Sequence, residues 1–295
     1  MPLSIIIKKK LPIFATPEGR AKYYAAYEAM FGLWKVTHES IDVATGYGST
    51  HINVCGPEDG DPLVLLHAAG LSSTVWFANI GDLSTRYRVY AVDVIGDAGK
   101  SVAESVMMER TDYAHWLKEV LDGLNIEKCD LVGHSYGGWL TLNMALAYPE
   151  RLRKIALLAP AASLRPLGFM TKLILILGEY KIHPPARSVL KAAVARGTKL
   201  EESFVDLMEM VTHHCAPATM YPTVYSDNEL RQIQVPALLL IGERDKIYNP
   251  RKAIERAQNC ISDLTAEIIP DAGHLLIMDQ PEIINSGILQ FLNDI

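Results

Sequence analysis

A serine lies in a glycine-rich turn, Gly133-His134-Ser135-Tyr136-Gly137-Gly138, between a short apolar run and a run of helix-forming residues. The order strand, sharp turn and helix is the setting of a nucleophile elbow with the pattern G-x-S-x-G. A residue at the tip of such a turn has a strained backbone, and glycines beside it avoid steric clashes. We therefore interpret Ser135 as a candidate nucleophile whose hydroxyl points out of the end of a sheet.

A serine hydroxyl needs a base within hydrogen-bond reach, and the base needs an acid that orients it. Two predicted strand ends follow Ser135 along the chain, Gly242-Glu243-Arg244-Asp245 and Asp271-Ala272-Gly273-His274. Adjacent parallel strands end at the same edge of a sheet, and Ser, Asp, His is a known chain order of the triad. We therefore expect Asp245 as the acid and His274 as the base. Glu243 and Asp271 stay open as alternatives for the acid. His213 and His214 are expected to have solvated or structural roles instead.

Acyl transfer also needs hydrogen-bond donors for the negatively charged oxygen of the tetrahedral intermediate. The backbone N–H of Tyr136, directly after the candidate nucleophile, is one expected donor. The second is expected from the loop His67-Ala68-Ala69-Gly70, which follows the apolar run 63–66. The glycine-containing loop 93–101 lacks the spacing of a phosphate-binding P-loop, so we interpret it as a structural turn near the site.

Alternating strand and helix patterns surround these residues and predict a mostly parallel, doubly wound α/β sheet. The predicted strands span 38–44, 49–54, 63–66, 88–92, 129–132, 154–158, 236–241 and 265–269. The predicted helices include 18–33, 111–124, 169–177, 186–195, 201–211, 250–258 and 281–292, and one that begins at Tyr136. In the first helix, Thr16 is the expected N-cap and Tyr23, Tyr24 and Tyr27 are expected to be exposed.

The predicted domain organisation follows from an interruption of this alternation. Residues 161–230 contain helical patterns without a strand, which predicts a helical cap (lid). The core would then consist of 38–160 and 231–295, and residues 1–37 would form an N-terminal arm and helix.

Composition limits the classes of partner. The 295 residues include 49% hydrophobic and 21% charged residues, enough to bury a large core. The net charge of -6 argues against nucleic acid and acidic membranes as partners. Four scattered cysteines suggest no metal or redox site and favour a reducing compartment, and MPLSIIIKKK does not resemble a signal peptide. We expect a cytoplasmic protein without integral membrane contact.

The segments GHSYGG, GERD, DAGH, LLHAAG and DVIGDAGKS together resemble the α/β-hydrolase superfamily, and the chain from about residue 38 is similar to bacterial carboxylesterases of the carboxylesterase NP type. The resemblance implies an α/β-hydrolase fold with an eight-stranded sheet, a helical cap after the sixth strand, and ester hydrolysis through an acyl-enzyme with neither cofactor nor metal. It makes Ser135 the nucleophile, Asp245 the acid and His274 the base. The backbone amides of Tyr136 and Ala69 would form the oxyanion hole.

Two loops depart from the family pattern. His67-Ala68 stands where the family usually has His-Gly, and the glycine spacing of Gly96-Asp97-Ala98-Gly99 is altered.

The expected substrate is a small-molecule carboxylic ester. Residues of the cap and near the oxyanion segments are candidates to line its pocket or simply to pack: Trp76, Trp139, Met170, Leu173, Leu177, Met208, Met210 and Met220. The same triad supports lactone or C–C bond hydrolysis, acyl transfer and perhydrolysis, and a ligand receptor without turnover is an alternative of another class. Dehalogenases and epoxide hydrolases of this scaffold carry Asp at the nucleophile position, so Ser135 argues against them. The protein is expected to be a monomer or a homodimer.

Overall fold

A single mixed sheet forms the centre of the molecule. The computed structural model describes residues 11–168 and 184–294. Its strands run in the order β1-β2-β4-β3-β6-β7-β8-β9, with β5 paired to β2. They are β1 (His38–Thr45), β2 (Gly48–Cys55), β3 (Asp61–Leu66), β4 (Tyr87–Val92), β5 (Val102–Ala103), β6 (Cys129–His134), β7 (Leu152–Leu158), β8 (Ala237–Gly242) and β9 (Leu264–Ile269).

Helices cover both faces of this sheet. The α-helices are α1 (Pro17–Met30), α2 (Ile80–Leu83), α3 (Arg110–Gly123), α4 (Tyr136–Ala147), α5 (Ala186–Ala193), α6 (Glu202–His214), α7 (Asp227–Leu230), α8 (Pro250–Cys260), α9 (Leu276–Asp279) and α10 (Pro281–Asn293). Short 3-10 helices span Phe31–Leu33, Ser73–Ala78 and Pro149–Arg151. Two hydrophobic clusters, one for each face, form the core.

The strands that carry the candidate site are parallel and buried. β6 pairs with β3 and β7, and β8 pairs with β7 and β9, all in parallel. Every residue of β6 and β8 is buried, as expected of strands covered by helices on both faces. The carboxyl ends of β6, β8 and β9 therefore lie along one edge of the sheet, as the sequence predicted.

The expected α/β-hydrolase sheet is present, with one strand more than expected. All eight predicted strands occur and lie along the main path, and β5 brings the total within the described residues to nine. β5 is only two residues long, and it is defined by antiparallel pairing of Val102 with Ser49 and of Ala103 with Gly48. So short a strand has no periodicity that a sequence pattern can reveal.

The first helix has the predicted N-cap, but its tyrosines are not exposed as predicted. The hydroxyl of Thr16 accepts the N–H of Gly19 at 3.0 Å. Tyr23 and Tyr27, however, are fully buried, and Tyr24 is half-buried. The prediction was wrong because α1 packs against α6, which is distant in sequence. The N-terminal segment also bonds to the end of α6, where Ala216 donates its N–H to the carbonyl of Ile13 at 2.8 Å.

Residues 161–230, called the insert below, connect β7 to β8. In its described part the insert contains α5, α6 and α7 and no strand. The helix predicted at 169–177 lies outside the described residues. No helix within 11–168 and 184–294 has the length and apolar character that crossing a bilayer requires.

Candidate active site

Ser135 occupies a sharp turn between β6 and α4. Its backbone torsions are φ 53° and ψ −107°, a conformation that L-residues rarely adopt. The turn is tight because α4 lies directly against the sheet. A Cβ atom on Gly137 would lie 2.1 Å from the carbonyl oxygen of Leu66, and one on Gly133 would lie 2.2 Å from the carbonyl oxygen of Gly137. Glycine is therefore required at both positions by close backbone contact.

We expect Gly137→Ala to lower the free energy of unfolding by about 3 kcal/mol, because overpacking against fixed backbone forces the strand and helix apart. Chemical denaturation monitored by circular dichroism measures the change. Gly81→Ala is the matched control, since a Cβ there meets nothing within 4 Å. Equal stability of the two variants would contradict the close approach at Gly137.

Three predicted side chains meet at this edge of the sheet. Nε2 of His274 lies 2.8 Å from Oγ of Ser135, and Nδ1 of His274 lies 2.8 Å from Oδ2 of Asp245. All three residues are buried, and the side chain of Asp245 has no exposed surface. A carboxylate only accepts hydrogen bonds, so Nδ1 carries the proton and Nε2 is free to accept the serine proton.

The other open candidates lie apart from this contact. Glu243 is exposed, and Asp271 forms an exposed ion pair with Arg244. His213, in the insert, is 3.5 Å from Glu209.

Asp245 is also fixed by its second oxygen, which accepts the N–H of Ile247 at 2.8 Å. Its carboxylate therefore has a set orientation toward the imidazole.

The loops that carry the acid and the base touch each other directly. Gly242 ends β8, and a Cβ on it would lie 2.2 Å from the carbonyl oxygen of Gly273. This contact requires glycine at position 242, and it places the loops that carry Asp245 and His274 side by side. Both glycines belong to the segments from which the sequence predicted the pair.

The loop from His67 to Gly70 is held at several points. Its first carbonyl, that of His67, accepts the N–H of Gly137 at 3.0 Å. The His67 side chain accepts the N–H of Val94 on Nε2 at 2.9 Å, so Nδ1 carries the proton and donates to the carbonyl of Ala68 at 2.8 Å. Gly70 donates its N–H to both oxygens of Asp97, at 3.0 and 3.1 Å.

These bonds bear on the predicted oxyanion donors. The amide of Gly70 is committed to Asp97, whereas Ala69, next to it, is exposed. Tyr136 is the first residue of α4, so its N–H has no partner within the helix. The side-chain roles of His67 and Asp97 were not predicted. The departures from the family pattern at His67-Ala68 and at Gly96-Asp97-Ala98-Gly99 were the local signs that these two loops differ.

His134 also has a role that sequence reasoning missed. Its Nε2 donates to the backbone carbonyl of His274 at 2.9 Å. The residue is fully buried. Burial, together with the neighbouring His274, lowers the pKa of His134 from 6.5 to about 3. Its imidazole is therefore neutral in the folded protein at neutral pH.

This shift makes stability depend on pH. The unfolded chain binds a proton at this histidine near pH 6.5 and the folded protein only near pH 3. Above pH 6.5 this histidine therefore does not change the free energy of unfolding. Below pH 6.5 the unfolded chain takes up the proton, so the free energy of unfolding falls as the pH decreases toward 3. We expect wild type to lose about 1.4 kcal/mol per pH unit more than His134→Gln in this window. Urea denaturation of both proteins from pH 7 to 4 measures the difference, and parallel curves would refute a neutral buried His134.

The predicted pocket residues differ in their surroundings. Trp76 and Trp139 are fully buried. Trp139 stacks on Tyr136 with a centroid distance of 5.3 Å and donates its N–H to the carbonyl of Thr223 at 3.1 Å. Met208 and Met210 are half-buried on α6, and Met220 is half-buried further along the insert. Met170, Leu173 and Leu177 lie outside the described residues.

Comparison with known proteins gives the class of this fold and site. The Alpha/beta hydrolase family matches residues 63–286. The chain belongs to this family, which confirms the predicted superfamily.

Individual relatives are more specific. The chain is 39% identical to "Uncharacterized carboxylesterase nap" and 35% identical to "Carboxylesterase YbfK", both from Bacillus subtilis (strain 168). The matches cover 92% of each chain in the first case, and 95% of this chain and 96% of the relative in the second. The crystal structure of naproxen esterase (carboxylesterase NP) from Bacillus subtilis superposes with a TM-score of 0.90 at 38% identity, covering 94% of this chain and 99% of the other. These similarities confirm the predicted resemblance to carboxylesterases.

Proposed function

We propose that this protein hydrolyses carboxylic esters through an acyl-enzyme, with Ser135 as nucleophile, His274 as base and Asp245 as the orienting acid. The observation that carries the proposal is the pair of hydrogen bonds that joins Ser135 Oγ to His274 and His274 to Asp245, each with a distance of 2.8 Å. The names of the relatives, which are carboxylesterases, support the choice of substrate class.

Acylation follows from this arrangement. Ser135 Oγ attacks the ester carbonyl carbon as His274 Nε2 takes its proton, and the buried carboxylate of Asp245 stabilises the resulting imidazolium. The carbonyl oxygen becomes an oxyanion that the amides of Tyr136 and Ala69 would bind. One such donor is typically associated with about 3 kcal/mol of transition-state stabilisation. His274 then protonates the departing alcohol.

Deacylation uses the same groups in reverse. A water molecule takes the place of the alcohol, His274 removes its proton, and the hydroxide attacks the acyl carbonyl. Collapse of the second tetrahedral intermediate releases the carboxylic acid and returns the proton to Ser135. Every proton movement occurs at Nε2 of His274, whose Nδ1 stays bonded to Asp245.

We further propose that the insert serves as a cap over the acyl side of the site. Its half-buried methionines, such as Met208 and Met210 on α6, are adaptable side chains suited to an apolar ligand. Trp139 is held by packing and by Thr223, so it would shape the site from below rather than move with substrate. The helix α1 would support the cap through its packing on α6.

Two measurements test the proposed function. A p-nitrophenyl ester series from acetyl to long acyl chains should show turnover with a maximum at one chain length. Fluorophosphonate should modify a single residue, and peptide mass spectrometry should locate it at Ser135. Modification elsewhere would refute the assigned nucleophile. Reaction at Ser135 without turnover of any ester would redirect the search to lactones, C–C bonds, acyl transfer, perhydrolysis or a receptor.

A further inference from the structure

The backbone around His274 is held by three separate parts of the molecule. On its N-terminal side, Gly273 donates its N–H to Oδ2 of Asp279 at 2.7 Å. The carbonyl of His274 itself accepts from His134 at 2.9 Å. On the C-terminal side, Leu275 donates its N–H to the carbonyl of Ala193 at 3.1 Å. The peptide unit after His274 is thus fixed by two partners distant in sequence, and the N–H of Gly273 is fixed by Asp279 of the same loop.

Two of these hydrogen bonds connect the His274 segment to the insert. Asp279 also accepts the N–H of Ala195 on both oxygens at 3.0 Å and the hydroxyl of Thr198 on Oδ1 at 2.5 Å. Ala193 is the last residue of α5, and its carbonyl is one of those that a helix end leaves without an internal partner. The two backbones are in direct contact, since a Cβ on Gly273 would lie 2.5 Å from the carbonyl oxygen of Ala193.

Local helix stability does not account for the carboxylate at position 279. Asp279 is the last residue of the four-residue helix α9, and a negative charge is unfavourable at the C-terminal end of a helix dipole. Its bonds to Gly273, Ala195 and Thr198 all lie outside that helix. Three donors converge on this carboxylate, and an amide in its place would set an NH₂ group against an N–H donor, because the nitrogen of Ala195 lies 3.0 Å from both oxygens.

We propose that Asp279 is a positioning residue that couples the insert to the catalytic base. The segment 193–198 of the insert and the segment 273–275 share this carboxylate, so the placement of the insert sets the direction of the His274 imidazole toward Ser135. The inference rests on the proposed function, in which His274 is the base. Asp279 itself touches neither substrate nor the reacting atoms.

Variants at two positions separate positioning from general stability. Asp279→Asn presents an NH₂ group to one of the backbone N–H donors, and we expect kcat to fall by about 10²-fold, the cost of a small misplacement of a catalytic group. KM should change little. Thr198→Val removes only the hydroxyl bond and leaves the bonds from Ala195, so it should cause a smaller loss of kcat. Thr198→Ser keeps the hydroxyl and should restore activity to nearly the wild-type value.

Asp112→Asn is the matched control. Asp112 also accepts two backbone amides, from Met108 and Glu109, but it does so at the start of α3. Its loss should reduce stability without lowering kcat, and denaturation of every variant shows whether the losses in stability are comparable. Wild-type kcat in folded Asp279→Asn would overturn the proposal. If that variant does not fold, equal kcat values of Thr198→Val and Thr198→Ser would overturn it.

The rate of fluorophosphonate reaction at Ser135 distinguishes failure of this inference from failure of the proposed function. This reaction needs His274 to activate the serine, but it does not need an ester substrate. If wild type turns over no ester, the labelling rates of the same variants still test Asp279. Slow labelling of Asp279→Asn and Thr198→Val, beside rapid labelling of Thr198→Ser, supports the coupling, and equal rates refute it.

Discussion

Ser135→Ala should reduce kcat for a p-nitrophenyl ester by about 10⁶-fold, since removal of the nucleophile of a triad leaves only the contribution of the oxyanion hole and substrate binding. The variant should fold normally. The hydroxyl lies in an already tight turn, and alanine removes one atom without altering φ 53°. Steady-state kinetics on material shown to be free of contaminating esterase measure the effect.

Ser163→Ala is a suitable control for this substitution. Ser163 is also buried, and its hydroxyl lies 3.1 Å from the carbonyl of Ala161, which places it in a local turn rather than beside His274. It should retain activity. Substantial turnover by Ser135→Ala, at rates that scale with protein concentration, would show that another group performs the attack.

Asp245→Asn should lower kcat by about 10⁴-fold with little change in fold. The asparagine oxygen can still accept the N–H of Ile247, but its NH₂ group then faces Nδ1 of His274. Nδ1 must become the acceptor, which moves the imidazole proton to Nε2. An imidazole in this tautomer cannot take the proton from Ser135.

Asp271→Asn provides the comparison for the acid. Asp271, like Glu243, was an alternative candidate for the acid, and it forms an exposed ion pair with Arg244. Exposed pairs contribute little to stability, so this variant should behave like wild type. If kcat falls in Asp271→Asn and not in Asp245→Asn, the acid is misassigned.

The candidate residues of this site were largely readable from the sequence. Ser135, Asp245 and His274 each sit in a short segment with local signals, namely turn glycines after an apolar run. The sheet then brings these segments together, because consecutive parallel strands end at one edge whatever the details of their packing. Buried parallel strands such as β3, β6 and β8 were predicted for a related reason, since they leave unbroken apolar runs in the chain.

Features that depend on contacts between distant residues had no such signal. Tyr23 and Tyr27 were expected at the surface because the sequence of α1 does not reveal that α6 covers it. The two-residue strand β5 exists only through its pairing with β2. For the pocket, the sequence predicted candidate residues but no shape, and two of these candidates, Met170 and Leu173, lie outside the described residues.

The sequence by itself thus determined the fold class, the relatives and three candidate catalytic side chains, because turn geometry and strand periodicity are local properties. Only the tertiary structure decided how those side chains are held. His134 binds the His274 segment from 140 residues away along the chain. Asp279 binds this segment from within the same loop, and it also binds Ala195, 84 residues distant. A hydrogen bond across such a separation is specified by the packing of whole elements, and no spacing along the chain records it.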